Sequence, residues 1–424
     1  MKNYYDKQWL ALKEEVDSRG ANGSAVVEAL QDYYSIFDDG ILDWLGGLFD
    51  PDIGGFYYSE SARDNEYISY NGVDYLLLPD IESTSQATNY LQANGIFKTW
   101  SDFPQWMIDK MARFICERQD PETGFFYHPQ GPKELTDSKP SRRGRDHMWA
   151  VHMAEKYGFK LPYPTASERL EQAVKTGEKP ASLPDYLLSE QAFKKYLADL
   201  DWDTNAYWSG NLIAAQVNVI NSAGLGKTAV DFLNSVQKPD TGLWGIYGGY
   251  SAINAYLKIS CVYEAAGFPI PNIDRAASAI IACGTTDEIP STTCFQYNVW
   301  LSARNVLANL RRFGGADGER RAKEITATLL NEAPDAIVAT KEKALIFRKP
   351  KGCFSMAPNE SSGTSQGMPV AIFHTNEGDV NANGICSSGT ANNLYAALDL
   401  EAFRVPIFSP NAKEVFMSAL RLPK

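Results

Sequence analysis

Gln237-Lys-Pro-Asp-Thr-Gly-Leu-Trp-Gly-Ile-Tyr-Gly-Gly-Tyr250 joins two stretches of different character. Ahead of it, Thr228 to Val236 is amphipathic at helical spacing. Behind it, Ser251 to Ala266 is small, apolar and periodic, and closes on Gly267. Pro, Asp and Gly supply the dihedrals of a sharp turn at Pro239-Asp240-Thr241-Gly242, and a glycine after the last periodic residue is a common left-handed helix stop. Trp244 and Tyr247 follow the turn as aromatic anchors. The stretch reads as outer helix, tight aromatic turn, inner helix.

The unit recurs along the chain. Helical periodicity over 5–18 and 24–48 leads into Phe49-Asp-Pro-Asp-Ile-Gly-Gly-Phe-Tyr-Tyr58, then a polar loop and a helix from Ser83 to Asn94. Phe103 to Arg118 is amphipathic and precedes Gln119-Asp-Pro-Glu-Thr-Gly-Phe-Phe-Tyr-His128. A basic loop through Arg142-Arg-Gly-Arg-Asp146 then enters His147–Tyr157. Asp201-Trp-Asp-Thr-Asn-Ala-Tyr-Trp208 separates an outer helix near Leu187–Leu200 from an inner one at Ser209–Ala223. Ile273–Cys283 pairs with Phe295–Phe313, and an outer helix near Glu319–Ala333 pairs with Ser387–Leu400. The inner-helix stops at Gly95, Gly158, Gly224, Gly267 and Gly314 are 63, 66, 43 and 47 residues apart. A two-helix unit of this size cannot bury its apolar face alone, so neighbours must stack. The expected fold is all-α: an (α/α)6 toroid of six inner and six outer helices, one domain over residues 1–424. A long irregular insert near residues 338–378, with short strands around Pro369–His374, is placed as a lid, and Asn411–Leu420 adds a helix that closes the ring.

Composition narrows the partners. A net charge of -12 over 424 residues argues against nucleic acid and against an anionic membrane surface. Aromatic residues reach 12% of the chain, enough for an aromatic-lined binding surface as well as a core. The six cysteines show no CxxC spacing and read as reduced and structural. The four histidines (128, 147, 152, 374) form no ligand spacing, so neither a metal nor a cofactor is expected. The N-terminal stretch lacks an apolar signal region, and no run approaches the roughly 18 apolar residues of a membrane span. A cytoplasmic location and a small-molecule or oligosaccharide substrate are expected, with the oligomeric state left open. Phosphate-loop and HExxH motifs are absent from the sequence.

Over nearly its full length the chain resembles the α/α-toroid superfamily. The turns at Gln119 and Gln237 are similar to the Gln-to-Trp turn repeats of terpenoid cyclases and protein prenyltransferases. Paired outer and inner helices are also the architecture of six-hairpin glycosidases and several polysaccharide lyases. In such a ring the outer-to-inner loops gather at one mouth, where the helix N-termini favour acidic and anionic groups. The candidate catalytic residues delivered there are Asp80, Glu82, Asp146, Asp203, Glu360 and Asp379. The candidate substrate-binding residues are Tyr57, Tyr58, Arg143, Arg145, His147, Trp149, Asn205, Tyr207, Trp208, Trp244, Tyr247, Tyr250, Gln296, Tyr297 and Asn381. Each carboxylate also suits a helix N-cap.

Aromatic platforms with amides and carboxylates suit sugars, and glycoside hydrolysis needs two carboxyl groups in opposite protonation states. The expected function is therefore a carbohydrate-active enzyme of glycoside hydrolase or polysaccharide lyase type. Two alternatives stand beside it. Asp80-Ile-Glu82-Ser83-Thr84 is similar to the Asp-x-Asp-Asp-Thr proton donor of class II terpenoid cyclases, with Asp80 as the donor and Glu and Ser replacing two acids. The other is a non-catalytic sugar-binding toroid. The Arg142–His147 cluster suits bidentate binding of a substrate carboxylate or phosphate, or else a solvated loop.

Overall fold

The structure is a computed structural model that describes residues 4–128, 130, 132–176 and 184–421. Pro129 and Gly131, in the expected loop ahead of Arg142, lie outside the described residues. The fold is predominantly α-helical, and its strands form three short antiparallel hairpins. The helices that frame the site are α1 (Gly23–Tyr34), α2 (Ile81–Ala93), α3 (Gln105–Cys116), α4 (Pro140–Tyr157), α5 (Glu190–Ala198), α6 (Ala206–Ala214) and α7 (Gly226–Val236). They continue with α8 (Gly249–Ala266), α9 (Ile273–Gly284), α10 (Cys294–Phe313), α11 (Gly318–Leu345), α12 (Val380–Gly384) and α13 (Thr390–Ala397).

Two kinds of helix alternate, and their sequences explain why. Helix α7 is amphipathic: Ala229, Val230 and Leu233 are buried while its other face carries Lys227 and Asp231. Helix α8 is apolar nearly all round and buries residues on every side, from Tyr250 to Tyr263. A helix without a polar face must be enclosed by others. Accordingly α8 packs between α6 and α10, and α7 and α9 also contact it. Helices α2 and α4 pack together, as do α4 and α6, and α10 and α13; α12 returns to contact α2. Helix α3 lies on α4, and α11 lies on both α10 and α1. One hydrophobic cluster runs through these contacts from Leu12 to Leu420.

The turns at Gln119 and Gln237 have equivalent structures. Lys238 N–H donates to Leu243 O (2.8 Å) and Gly242 N–H to Lys238 O (2.8 Å); Asp120 and Gly124 repeat the pair, each at 2.9 Å. Gln237 Nε2 donates to Gly242 O (3.0 Å) and to Pro271 O (2.8 Å), and its Oε1 accepts from Asn272 (2.9 Å). Gln119 likewise reaches Tyr163 O (2.9 Å) and accepts from Tyr163 N–H (3.1 Å). The glutamine therefore ties each turn to the segment that begins the next unit. Gly242 has φ +70, and an added Cβ would lie 2.4 Å from Asn272 O, so only glycine fits. Trp244 Nε1 donates to Leu233 O (2.9 Å), and Trp202 repeats this towards Leu197 O (2.6 Å). Each indole adds a hydrogen bond to a carbonyl in the last turn of the preceding helix, pinning the turn against it.

Several boundaries differ from expectation. The Arg142–Asp146 run is helical, because α4 already starts at Pro140, where proline's fixed φ suits a first turn. The expected helix Ser209–Ala223 breaks at Ala215-Gln216, where Gly144 of α4 approaches so closely that a Cβ would sit 2.3 Å from Ala215 O. Helix α11 does not stop near Ala333 but runs through Pro334 to Leu345. Burial of Ala336, Ile337, Thr340 and Ala344 continues the stripe and outweighs the roughly 3 kcal/mol cost of an interior proline. The irregular insert therefore begins near residue 346. Its strands are Thr364–Ser365 and Met368–Pro369, joined by Gln366 (φ +52) and Gly367 (φ +78), the left-handed pair of a tight hairpin. Gly95, Gly158, Gly224 and Gly267 are left-handed stops, whereas after α10 that role passes from Gly314 to Gly315.

Candidate functional site

Helices α2, α4, α6, α8, α10 and the α12–α13 segment line a cavity of about 540 Å³. Of the expected site residues, Arg145, Trp149, Tyr207, Tyr297 and Asn381 face it. Asn211, Asn298, Gln86 and Asn89 add amides, and the hairpin tip contributes Gln366. No Asp or Glu is among the described lining residues, whose only charged side chains are Arg145 and Lys258.

The carboxylates lie behind this wall, gathered by an arginine. Arg142 is fully buried, and its guanidinium donates from Nη2 to Asp80 (2.8 Å), from Nη1 to Glu82 (3.1 Å) and from Nε to Asp146 (2.9 Å). Asp146 lies one helical turn after Arg142 on α4; Asp80 caps α2 by accepting from Ser83 N–H (2.9 Å), and Glu82 follows in that first turn. Glu82 also accepts from Arg145 and from Ser365 Oγ (3.2 Å) of the hairpin. Burial pushes the Glu82 carboxyl up, but Arg145 and Arg142 outweigh it and hold the pKa below the ordinary value. Two arginines face three carboxylates, so one negative charge is left over. Asp146 takes the consequence: burial, against the pull of Arg142, raises its pKa to about 7, and its Oδ1 has no partner.

Asp379 is a second buried acid. It caps α12 by accepting from Ala382 N–H (2.7 Å) and also accepts from Met356 N–H (2.8 Å). Burial raises its pKa to about 7 despite those bonds. Tyr58 is buried nearby, its phenol pushed well up by burial and by the charge of Asp379.

Other expected residues lie elsewhere. Asp203 is exposed and pairs with Lys238 (3.1 Å), and Glu360 pairs with His374 (2.6 Å) on the outer surface. Asn205, Trp208 and Tyr247 are exposed and are not part of the cavity wall. Tyr57 bonds Asp50 (3.3 Å), and Arg143 bonds Asp137 (2.9 Å) over the Phe125 ring. His147 is buried against Phe125 and Phe126, with Nε2 on Ser167 (2.9 Å), and burial lowers its pKa to about 4. Trp244, Tyr250 and Gln296 are buried scaffold.

Cys294, which the sequence places near a mouth, lines the cavity together with Lys258 and Cys261, which are not among the expected site residues. Lys258 alone carried a usable signal, as the only basic residue in the otherwise apolar run Ser251–Val262. All six cysteines are free thiols. Among the described residues, no group of three His, Cys, Asp or Glu side chains could hold a metal ion, and no helix is long and apolar enough to cross a membrane.

No protein-family model matches the chain, and no curated protein does. Among solved structures, a protein from Actinoplanes is similar over 85% of this chain and 97% of its own, at 17% identity and a TM-score of 0.39.

Proposed function

We propose that the six inner segments close an (α/α)6 toroid and that the chain is a carbohydrate-active enzyme whose substrate binds in the central cavity. The observation that carries the reading is a cavity walled by Trp149, Tyr207 and Tyr297 with Asn211, Asn298 and Asn381, backed by carboxyl groups in opposite protonation states. Sugar rings stack their C–H faces on aromatic side chains while amides take the hydroxyls. Environments that push neighbouring acids apart mark acid and base roles: Glu82 is held ionised, whereas Asp146 and Asp379 keep protons to about pH 7.

The hairpin tip touches both parts of this arrangement. Ser365 bonds Glu82, and Gln366 accepts from Ser141 Oγ (2.6 Å) and Asn211 Nδ2 (3.1 Å) at the cavity wall. Displacement of the tip by a glycan would uncover Glu82, and this supports the lid role of the insert. A class II terpenoid-cyclase-like reading is less well supported, because Asp80 is committed to Ser83 and Arg142 and the wall is rich in amides.

The test is a screen of plant and bacterial oligosaccharides for released reducing ends and for the ultraviolet absorbance of unsaturated products, with terpenoid diphosphates alongside. Cleavage of a glycan that is lost in Glu82→Gln but retained in Glu360→Gln is expected. Turnover of a terpenoid diphosphate, with no glycan bound, would replace the reading.

A further inference from the structure

Lys258 is placed where a lysine seldom rests. It projects from the middle of α8, the helix that is apolar nearly all round, into the central cavity. Among the described residues no carboxylate lies within ion-pair distance, and its ammonium makes no hydrogen bond; its near neighbour is the Tyr207 ring, 5.7 Å from Nζ to centroid. The other cation on the wall, Arg145, is already matched by Glu82. One positive charge therefore faces the cavity uncompensated. Lys258 is partly buried and its ammonium opens onto the cavity, so an anionic group seated there would supply the missing counter-charge in a setting shielded from bulk water.

The rest of the wall specifies what carries the anion. Amides from Asn211, Asn298 and Asn381 and the aromatic faces of Trp149 and Tyr207 suit a hydroxyl-rich ring and not a bare inorganic ion. With Asp146 holding its proton, Asp80 and Glu82 balance Arg142 and Arg145, and the charge of Lys258 matches a ligand with a single negative charge; a phosphate monoester dianion would leave the cavity negative. Taking the carbohydrate reading above as its basis, we propose that Lys258 selects a monoanionic sugar residue, a uronic acid or a sulfate ester. Burial, reinforced by Arg145, lowers the lysine pKa, in keeping with an ammonium that lacks its counter-ion.

The experiment measures calorimetric binding of matched pairs: tri-galacturonate against its methyl ester, and a sulfated disaccharide against its desulfated form, with maltotriose as a neutral reference. The charged member of at least one pair should bind at least about tenfold tighter, as a charge-assisted contact implies, and which pair responds separates carboxylate from sulfate. Lys258→Met should abolish that preference and Lys258→Arg should keep most of it, with native melting temperatures verifying that both variants fold. Equal binding of charged and neutral members overturns the proposal while leaving the carbohydrate reading intact, as does a preference that survives in Lys258→Met. Failure of every glycan to bind removes both.

Discussion

At the scale of single residues, Arg142 does the most. Its buried guanidinium holds Asp80, Glu82 and Asp146, from two helices some sixty residues apart in sequence. Truncating one partner of a buried ion pair leaves uncompensated charge, so Arg142→Met should lose about 3–5 kcal/mol, read from the urea midpoint. Asp146 makes a prediction with a definite sign. Its folded pKa, about 7, lies above its ordinary 3.8, so as pH rises between these values the unfolded chain releases a proton that the native state keeps. Wild-type stability attributable to this group therefore falls across that window. Asp146→Asn, which imitates the protonated acid, should gain stability relative to wild type as pH rises from 3.8 to about 7. A difference that stays constant with pH would show that Asp146 titrates normally. Sequence reading placed these acids at helix starts, because short polar residues there cap free N–H groups. It could not foresee that one arginine would bind all three, which depends on how α2 and α4 cross.

At the scale of elements, the Gln–Pro–Gly turn was legible because its chemistry is local. Gly242 and Gly124 need positive φ, and Trp244 and Trp202 return hydrogen bonds to the helix just before them. What Gln237 does was not legible, since its partners Pro271 and Asn272 lie more than thirty residues on. Gln237→Met should leave Pro271 and Gly242 carbonyls and the Asn272 amide short of partners. A loss of about 1–3 kcal/mol is expected by chemical denaturation. Gly242→Ala should cost more, because its Cβ would meet backbone and not a movable side chain. Helix ends at Ala215 and Leu345 were misjudged for the same reason in opposite directions: a neighbouring backbone broke one helix, and tertiary burial carried the other past Pro334.

At the scale of the whole molecule, helices α2, α4, α6, α8, α10 and α12–α13 leave a space that no single unit contains. Burial raises the thiol pKa of Cys261, Cys283, Cys353 and Cys386 alike, but Cys261 is solvent-accessible and lines that space while the other three are buried. Maleimide should therefore modify Cys261 ahead of those three in the folded protein. A bound glycan should slow the reaction, and Cys261→Ser should remove it; labelling unaffected by any ligand would place binding outside the cavity. The sequence by itself determined the helical class, the repeated turns and the helix-start positions of Asp80, Glu82 and Asp379, because periodicity, dihedral preference and capping act within a few residues. Only the tertiary structure decided that Asp203 and Glu360 sit on the surface, that three acids share Arg142, and that Lys258 faces the cavity. Those outcomes depend on burial and charge between residues distant in the chain, which local pattern does not encode.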